Sequence, residues 1–298
     1  MGRNSGSIQV MQVKSFAKIN LGIEVLGKRK DEYHNIRTLF QSIDFYDVLE
    51  FYLLPDDKID LSGTDDTISW GTDNLIFQAA LRLKQKLGLS NGIKIKASKK
   101  IPPGKGLGGG SSNAAMTLLA LNKIWELSCT PEELTELAKG LGADVPYFLT
   151  GGLCLGTGRG DEIKPLEDLP VHYCVLALPD ISIPTSSIYT NLPETLTSEE
   201  KGSKITKFFH NRNCSGLINS LEEAVFSLHP QIEIIKGLFQ ANKAELSLVS
   251  GSGSAVFGLF KTRKNAQKAF KEINSRYSVI VTKTLPRKEY KKRIFVGV

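Results

Sequence analysis

Five glycines fall within the seven residues from Gly104 to Gly110, in the run PPGKGLGGGSSN. Glycine loses more backbone freedom on folding than any other residue, so a crowd of five is a costly way to make a simple connector. The flanks say what the run joins. Ile93 to Ala97 (IKIKA) alternates like a strand, and Ala114, Leu118, Leu121 and Trp125 step along one helical face. Where a glycine loop opens a helix, free N–H groups and the helix dipole converge on an anion site. Ser111, Ser112 and Asn113 stand at the expected helix start, placed to cap it or to contact a phosphate.

The kind of loop matters. Gly104, Gly106 and Gly109 satisfy G-x-G-x-x-G, but a dinucleotide fold needs the first glycine directly at a strand end. Pro102 and Pro103 intervene. The P-loop pattern fails, because Gly110 stands where lysine is required. No H-R-D or D-F-G segment follows, which excludes a protein kinase.

Elsewhere, Val13 to Val25 has apolar residues at odd positions and Lys14, Lys18, Asn20 and Glu24 at even ones. That period predicts a half-buried strand with Lys18 and Asn20 sharing its polar face. A turn-rich stretch, GKRKDEYHN, and the strand-like VLEFYLL follow. Ile76, Ala80, Leu83 and Leu87 predict a helix with Asp73 and Gly88 as caps, and Thr130, Pro131, Glu132 and Glu133 announce another that ends near Gly140 or Gly142. GGLCLGTGRGDEI reads as strand, turn and strand. The pattern resets around Pro165 to Pro170, which divides the chain into domains 1–168 and 169–298. The second half opens with a strand at Tyr173 to Leu178. It continues with helices, a strand–GSGS–strand unit at Ser247 to Phe260, another helix and a final strand pair. Mixed elements without strict alternation favour an α+β architecture.

Composition narrows the class. With 298 residues, 41% hydrophobic and 23% charged, the chain has the profile of a globular protein able to bury a sizeable core. No apolar run approaches the ~20 residues of a membrane span. MGRNSGSIQV lacks the features of a signal peptide and reads as a loose extension, with Met11 as an alternative start. Cys129, Cys154, Cys174 and Cys214 are scattered, without metal or disulfide spacing, so a cytoplasmic location is expected. The net charge of +7 suits nucleic acid or small polyanionic substrates equally. The basic cluster from Arg287 to Arg293 (RKEYKKR) reads as a solvated face.

The run PPGKGLGGGSSNAA resembles the second signature of the GHMP kinases, which phosphorylate small metabolites. SFAKINL near the start and SGSGSAVF late in the chain match the same family in order, so the resemblance spans most of the sequence. AKINL, DEYHN, GADVPYF and SIPT are similar to the branch acting on a cytidine diphosphate-bearing metabolite of the non-mevalonate isoprenoid route. The resemblance implies a two-domain GHMP fold, with a ribosomal-protein-S5-like N-terminal domain and a ferredoxin-like C-terminal domain. It implies ATP as phosphoryl donor, with Mg²⁺ accompanying it, and a small-molecule acceptor rather than nucleic acid or a membrane.

By the same resemblance, Asp144 is the base and Lys18 the cation that stabilises developing charge. The nucleotide lies on Pro102, Pro103, Gly104, Lys105, Gly106, Leu107, Gly108, Gly109, Gly110, Ser111 and Ser112. Asn20, Tyr33, His34, Thr185 and Tyr189 hold the acceptor. Lys105 departs from the smaller residue expected there and would add a phosphate contact. Read from the residues alone, Asp144 before Pro146 is equally an N-cap, Lys18 a solvated strand lysine and Tyr33-His34 an exposed turn pair. His172, His210 and His229 read as structural or exposed, and Asp161 and Glu162 as surface charge. The rival readings are a homoserine- or mevalonate-type kinase of the same superfamily, an RNA-binding protein and a silent nucleotide-binding module.

Overall fold

The alternation read from Val13 to Val25 belongs to a longer strand, β1 (Gln9–Lys28), which pairs antiparallel with β2 (His34–Leu54) across the turn that carries Tyr33. The structure, a computed structural model, describes residues 9–192 and 203–297. Of the expected N-terminal extension, residues 1–8 lie outside the described residues, and Gln9 and Val10 already belong to β1. There follow β3 (Ile59–Gly63), α1 (Leu75–Leu87), β4 (Gly92–Ser98), α2 (Gly109–Ile124), α3 (Pro131–Leu141), α4 (Val145–Thr150), β5 (Leu153–Thr157) and β6 (Glu162–Pro165). Next come β7 (Tyr173–Leu178), α5 (Thr185–Thr190), α6 (Lys204–Asn211), α7 (Glu222–Leu228) and α8 (Pro230–Ala241). The chain then forms β8 (Leu246–Val249), β9 (Val256–Phe260), α9 (Arg263–Ile273), β10 (Ser278–Lys283) and α10 (Arg287–Ile294).

Two sheets result. The first runs β3-β4-β2-β5-β6, with β1 also on β2, and only the β3–β4 pair is parallel. The second runs β10-β7-β9-β8 and is antiparallel throughout. Buried alanines of α1 and α2 (Ala79, Ala80, Ala114, Ala115) let those helices lie close over Phe51, Ile93 and Ile95 of the first sheet. On the second sheet, Phe239 of α8 and Ala266 and Ala269 of α9 cover Val256 and Phe260. A third cluster joins the two, with Ala17, Ile19, Leu21 and Leu39 packed against Leu176, Leu248 and Phe257.

That shared core corrects the half-buried reading of the first strand. Ser15 to Val25 is buried on both faces, because the second sheet covers its apolar side while the polar side faces other protein groups. Glu24, for example, accepts hydrogen bonds from Ser203 Oγ and from the backbone N–H groups of Lys204 and Ile205 at the start of α6. The register also shifts at Phe16/Lys18 and Asn20/Gly22, which breaks strict alternation beside the residues that matter most.

Thr130 and Glu133 form a reciprocal capping box, and Gly88 closes α1 in the left-handed conformation. The N-cap of α1 is Asn74, however, and Asp73 accepts a bond from Ser69 Oγ instead. The expected final strand pair is one strand, β10, followed by a helix. Nor is the basic tail simply a solvated face. Arg293 forks onto Asp44, Arg287 donates to the carbonyls of Gly151 and Leu166, and Tyr290 is fully buried with its hydroxyl on the Phe148 carbonyl.

Candidate active site

A cleft of about 1170 Å³ opens on the polar side of β1, opposite the face that packs on the second sheet. Its walls come from the turn-side half of the β1–β2 hairpin, the glycine loop, the start of α4, α5 and the turn between β8 and β9. Lys18 and Asp144 meet on its floor. The Lys18 ammonium lies 3.3 Å from Asp144 Oδ2 and donates to Asn20 Oδ1 at 2.6 Å. Asn20 is aimed in turn by its amide, which donates to Thr38 Oγ1 at 2.8 Å. Lys18 and Asn20 are almost wholly buried, whereas the Asp144 side chain keeps 34% exposure. Asp144 does sit at the N-cap position of α4, but its carboxylate makes no capping bond. The carboxylate is therefore left to face the cleft and Lys18, which is where a proton acceptor would be useful.

The glycine loop is laid directly on this pair. Lys18 N–H donates to the Leu107 carbonyl at 3.0 Å. Gly108, at φ +70°, would carry a Cβ 2.7 Å from the Phe148 ring and 3.2 Å from Lys18 Cγ. Gly106, at φ +72°, would carry one only 1.9 Å from the Ser250 carbonyl oxygen. Both positions combine a left-handed backbone with close approach, so glycine is required. Helix α2 starts at Gly109, earlier than the serines suggested, and Gly108 is its N-cap. The first bond of the helix is Ser112 N–H to the Gly108 carbonyl, which leaves the preceding N–H groups at the mouth of the helix.

The structure sorts the eleven loop candidates. Gly106 and Ser111 line the cleft, with Gly104 and Gly108 to Gly110 shaping the turn around them. Pro103 is exposed and Pro102 half-buried, neither on the cleft wall, and Leu107 is buried in the shared core. Ser112 is turned inward, its hydroxyl bonded to the Phe16 carbonyl and to Ser15 Oγ, so its side chain neither caps the helix nor reaches a phosphate. Lys105 also departs from expectation. Its ammonium donates to the carbonyls of Pro179 and Ile181 at 2.7 and 2.6 Å, and not toward the mouth of α2.

A buried network under the loop had no motif to announce it. Asp47, with no exposed surface, forms an ion pair with Lys99 and accepts from the N–H groups of Lys100 and Ile101 at 2.7 and 2.8 Å. Asn113 bridges Asp47, Lys99 and Ser15 from inside α2. One carboxylate thus holds the strand that enters the loop and the helix that leaves it.

On the opposite wall, His34 and Tyr189 lie with ring centroids 5.2 Å apart and planes tilted by 32°. Burial, with Asp144 nearby, pushes the Tyr189 phenol up to about 12, so it stays protonated. Burial and Lys28 lower the His34 pKa against a weaker opposing pull from Glu32. Thr185 bonds Ser252 Oγ at 2.9 Å beside them. Tyr33 stands apart at the rim, 56% exposed, with the Arg159 guanidinium 5.1 Å over its ring. Arg159 is a cleft residue that the sequence reading passed over. Asp161, read there as surface charge, orients it through a 2.9 Å ion pair. Arg159 sits between Gly158 and Gly160, both at positive φ, in the turn that joins β5 to β6. Gly251 and Ser252, within the matched SGSGSAVF run, also line it.

Comparison with known proteins identifies the family. The family models for the GHMP kinases N terminal domain and GHMP kinases C terminal match residues 74–152 and 201–279. The 4-diphosphocytidyl-2-C-methyl-D-erythritol kinases of Bacillus mycoides and Bacillus cytotoxicus are each 38% identical over 251 residues, covering 83% of this chain and 87% of theirs. A crystal structure of 4-(cytidine 5'-diphospho)-2C-methyl-D-erythritol kinase superposes with a TM-score of 0.79 at 32% identity, covering 92% of this chain and 99% of that one. A homoserine kinase from Cytophaga hutchinsonii shares the fold, with a TM-score of 0.70 at 19% identity over 97% of this chain and 98% of its own. The chain belongs to the GHMP kinase family, on the branch of the 4-diphosphocytidyl-2-C-methyl-D-erythritol kinases.

Proposed function

We propose that this chain moves the γ-phosphoryl group of ATP to the 2-hydroxyl of 4-diphosphocytidyl-2-C-methyl-D-erythritol, in non-mevalonate isoprenoid precursor biosynthesis. The observation that carries the reading is the Lys18–Asp144 pair, 3.3 Å apart, set between an anion-binding loop and an aromatic pair. The triphosphate lies against the mouth of α2 at Gly106 and Ser111, and cytosine is held at His34 and Tyr189, with Tyr33 and Arg159 closing over the rim. Asn20 and Thr185 supply polar contacts to the erythritol and its diphosphate. Between them the acceptor hydroxyl attacks the γ-phosphorus, its proton passes to Asp144, and the bond to the β-phosphate oxygen breaks to release ADP. Lys18 stabilises charge on the transferring group. Such a loose transition state asks mainly for positioning and electrostatics. We divide the chain at 168/169, a reading supported by sheet membership, since β6 precedes that point and β7 follows it.

Mg²⁺ is part of this proposal. Among the described residues no three acidic, histidine or cysteine side chains converge, so a cage made wholly of protein is not offered. Mg²⁺ commonly takes one or two protein oxygens together with substrate phosphates. The Ser111 hydroxyl, on the cleft wall at the mouth of α2, fits that mode, and the ion would neutralise phosphate charge there.

The test is Asp144→Asn, which preserves size and removes the proton acceptor. Turnover, followed as ADP release, should fall by roughly 10²–10⁴-fold, with ADP binding nearly unchanged. Phosphorus NMR of the wild-type product should show a new phosphomonoester on the 2-hydroxyl. Near wild-type turnover in the variant, or a phosphate on another oxygen, would contradict the reading.

A further inference from the structure

Lys105 is the only side chain of the glycine loop that reaches out of it to another segment through an ammonium group, and it reaches into the second half of the chain. Its two acceptors, the carbonyls of Pro179 and Ile181, lie in the stretch between β7 and α5. That stretch leads within a few residues to Thr185 and Tyr189 on the acceptor wall. The turn between β8 and β9 completes the junction. Ser250 Oγ donates to the Gly106 carbonyl at 2.9 Å and Ala255 N–H to the Lys105 carbonyl at 3.3 Å, which ties the turn to the loop. Ser254 Oγ donates to the same Ile181 carbonyl that Lys105 uses, and Ser252 bonds Thr185, which ties the turn to the acceptor wall. Three backbone segments therefore meet, and Lys105 is the charged group that links the first directly to the third.

We propose that Lys105 is a positioning residue that couples the nucleotide subsite to the acceptor subsite. It rests on the functional reading above, because it needs the 179–189 segment to form the acceptor wall. A nucleotide that fixes the glycine loop fixes Lys105, and Lys105 fixes the carbonyls that set the entry to α5. A charge-assisted bond to a carbonyl is stronger than a neutral one, so this link transmits position better than its neighbours do. Partial burial also lowers the lysine's pKa, opposed by Asp180, in keeping with an ammonium committed to protein acceptors rather than to water. Coupling of this kind is reciprocal, so the acceptor must tighten the nucleotide by the same factor.

The experiment measures binding of 4-diphosphocytidyl-2-C-methyl-D-erythritol by calorimetry, with and without saturating ADP, a pair that cannot react forward. The wild type should bind the acceptor more tightly with ADP present, by roughly 5- to 20-fold, within the usual range for coupled sites. Lys105→Met should bring that ratio close to one, with a smaller change in the affinity for ADP alone. Its KM for the acceptor should rise although Lys105 does not touch it. A ratio that survives in the variant overturns the proposal, as does a wild-type ratio of one. Loss of ADP affinity with the ratio intact would make Lys105 a phosphate ligand instead. Lys105→Gln, which keeps donor hydrogens, stands in should the Met variant fail to fold, and a ratio between the two is expected. Wild-type turnover on the cytidine acceptor tests the functional reading separately. If a different acceptor supports turnover, the same ratio is measured with that acceptor.

Discussion

Lys18 shows how one side chain acquires its role from its neighbours. A strand lysine is ordinarily solvated, but this one is desolvated, hydrogen-bonded to Asn20 and paired with Asp144 on the cleft floor. Its periodicity placed it on a polar face with Asn20, and that much was legible. What faces it was not, because Asp144 is 126 residues away in sequence and its own setting admitted a cap as readily as a base. His34 gives a prediction at the same scale. Its pKa is lowered in the folded chain below the ordinary 6.5. A histidine depressed in this way favours folding above 6.5, and that contribution is lost as pH falls through the lower folded value. His34→Gln should therefore lose less melting temperature than the wild type between pH 7.5 and pH 5, once each is referred to its own value at pH 7.5. An equal or larger loss would mean that the His34 pKa is not lowered in the folded chain.

At the scale of elements, the glycine loop works because of what holds its two ends. Sequence located the loop, the strand before it and the helix after it, since all three have local signatures. It did not reveal that Ser112 and Asn113 turn inward, or that Asp47 from β2 gathers Lys99, Lys100, Ile101 and Asn113 beneath the loop. Such a network is assembled from four separate segments and has no spacing of its own. The arrangement predicts a large cost for Asp47→Asn. The amide still accepts from the backbone, but the buried Lys99 ammonium loses its counter-charge, and breaking a buried pair from one side costs about 3–5 kcal/mol. Denaturant unfolding should show that loss, and KM for ATP should rise more than KM for the acceptor, because the loop is the part left unsupported. A loss below about 1 kcal/mol, the value of an exposed pair, would show that Lys99 is solvated and the clamp unimportant.

For the whole molecule, the decisive feature is that the glycine loop and the His34–Tyr189 pair border one cleft beside the core that joins the two sheets. Ile19 and Leu21 pack against the second sheet while Lys18 and Asn20, on the same strand, line the cleft. The α+β class followed from mixed elements without strict alternation, and the reset in pattern near Pro165 falls between the last strand of the first sheet and the first strand of the second. The return of α10 to the first half did not, because the charge of RKEYKKR concealed the buried Tyr290 and the pairing of Arg293 with Asp44. On the proposed reading this architecture would tie phosphoryl transfer to cytidine binding at a distance, since remote binding energy can hold the hydroxyl in line for attack. The most direct test compares kcat/KM for 4-diphosphocytidyl-2-C-methyl-D-erythritol and for 2-C-methyl-D-erythritol 4-phosphate, which has no cytidine. One stacked base contributes ~1–3 kcal/mol, equivalent to about 5- to 150-fold. The full acceptor should be preferred by at least that factor, and Tyr189→Ala should shrink the preference. Equal efficiency on the two acceptors would contradict a cytidine grip at His34 and Tyr189.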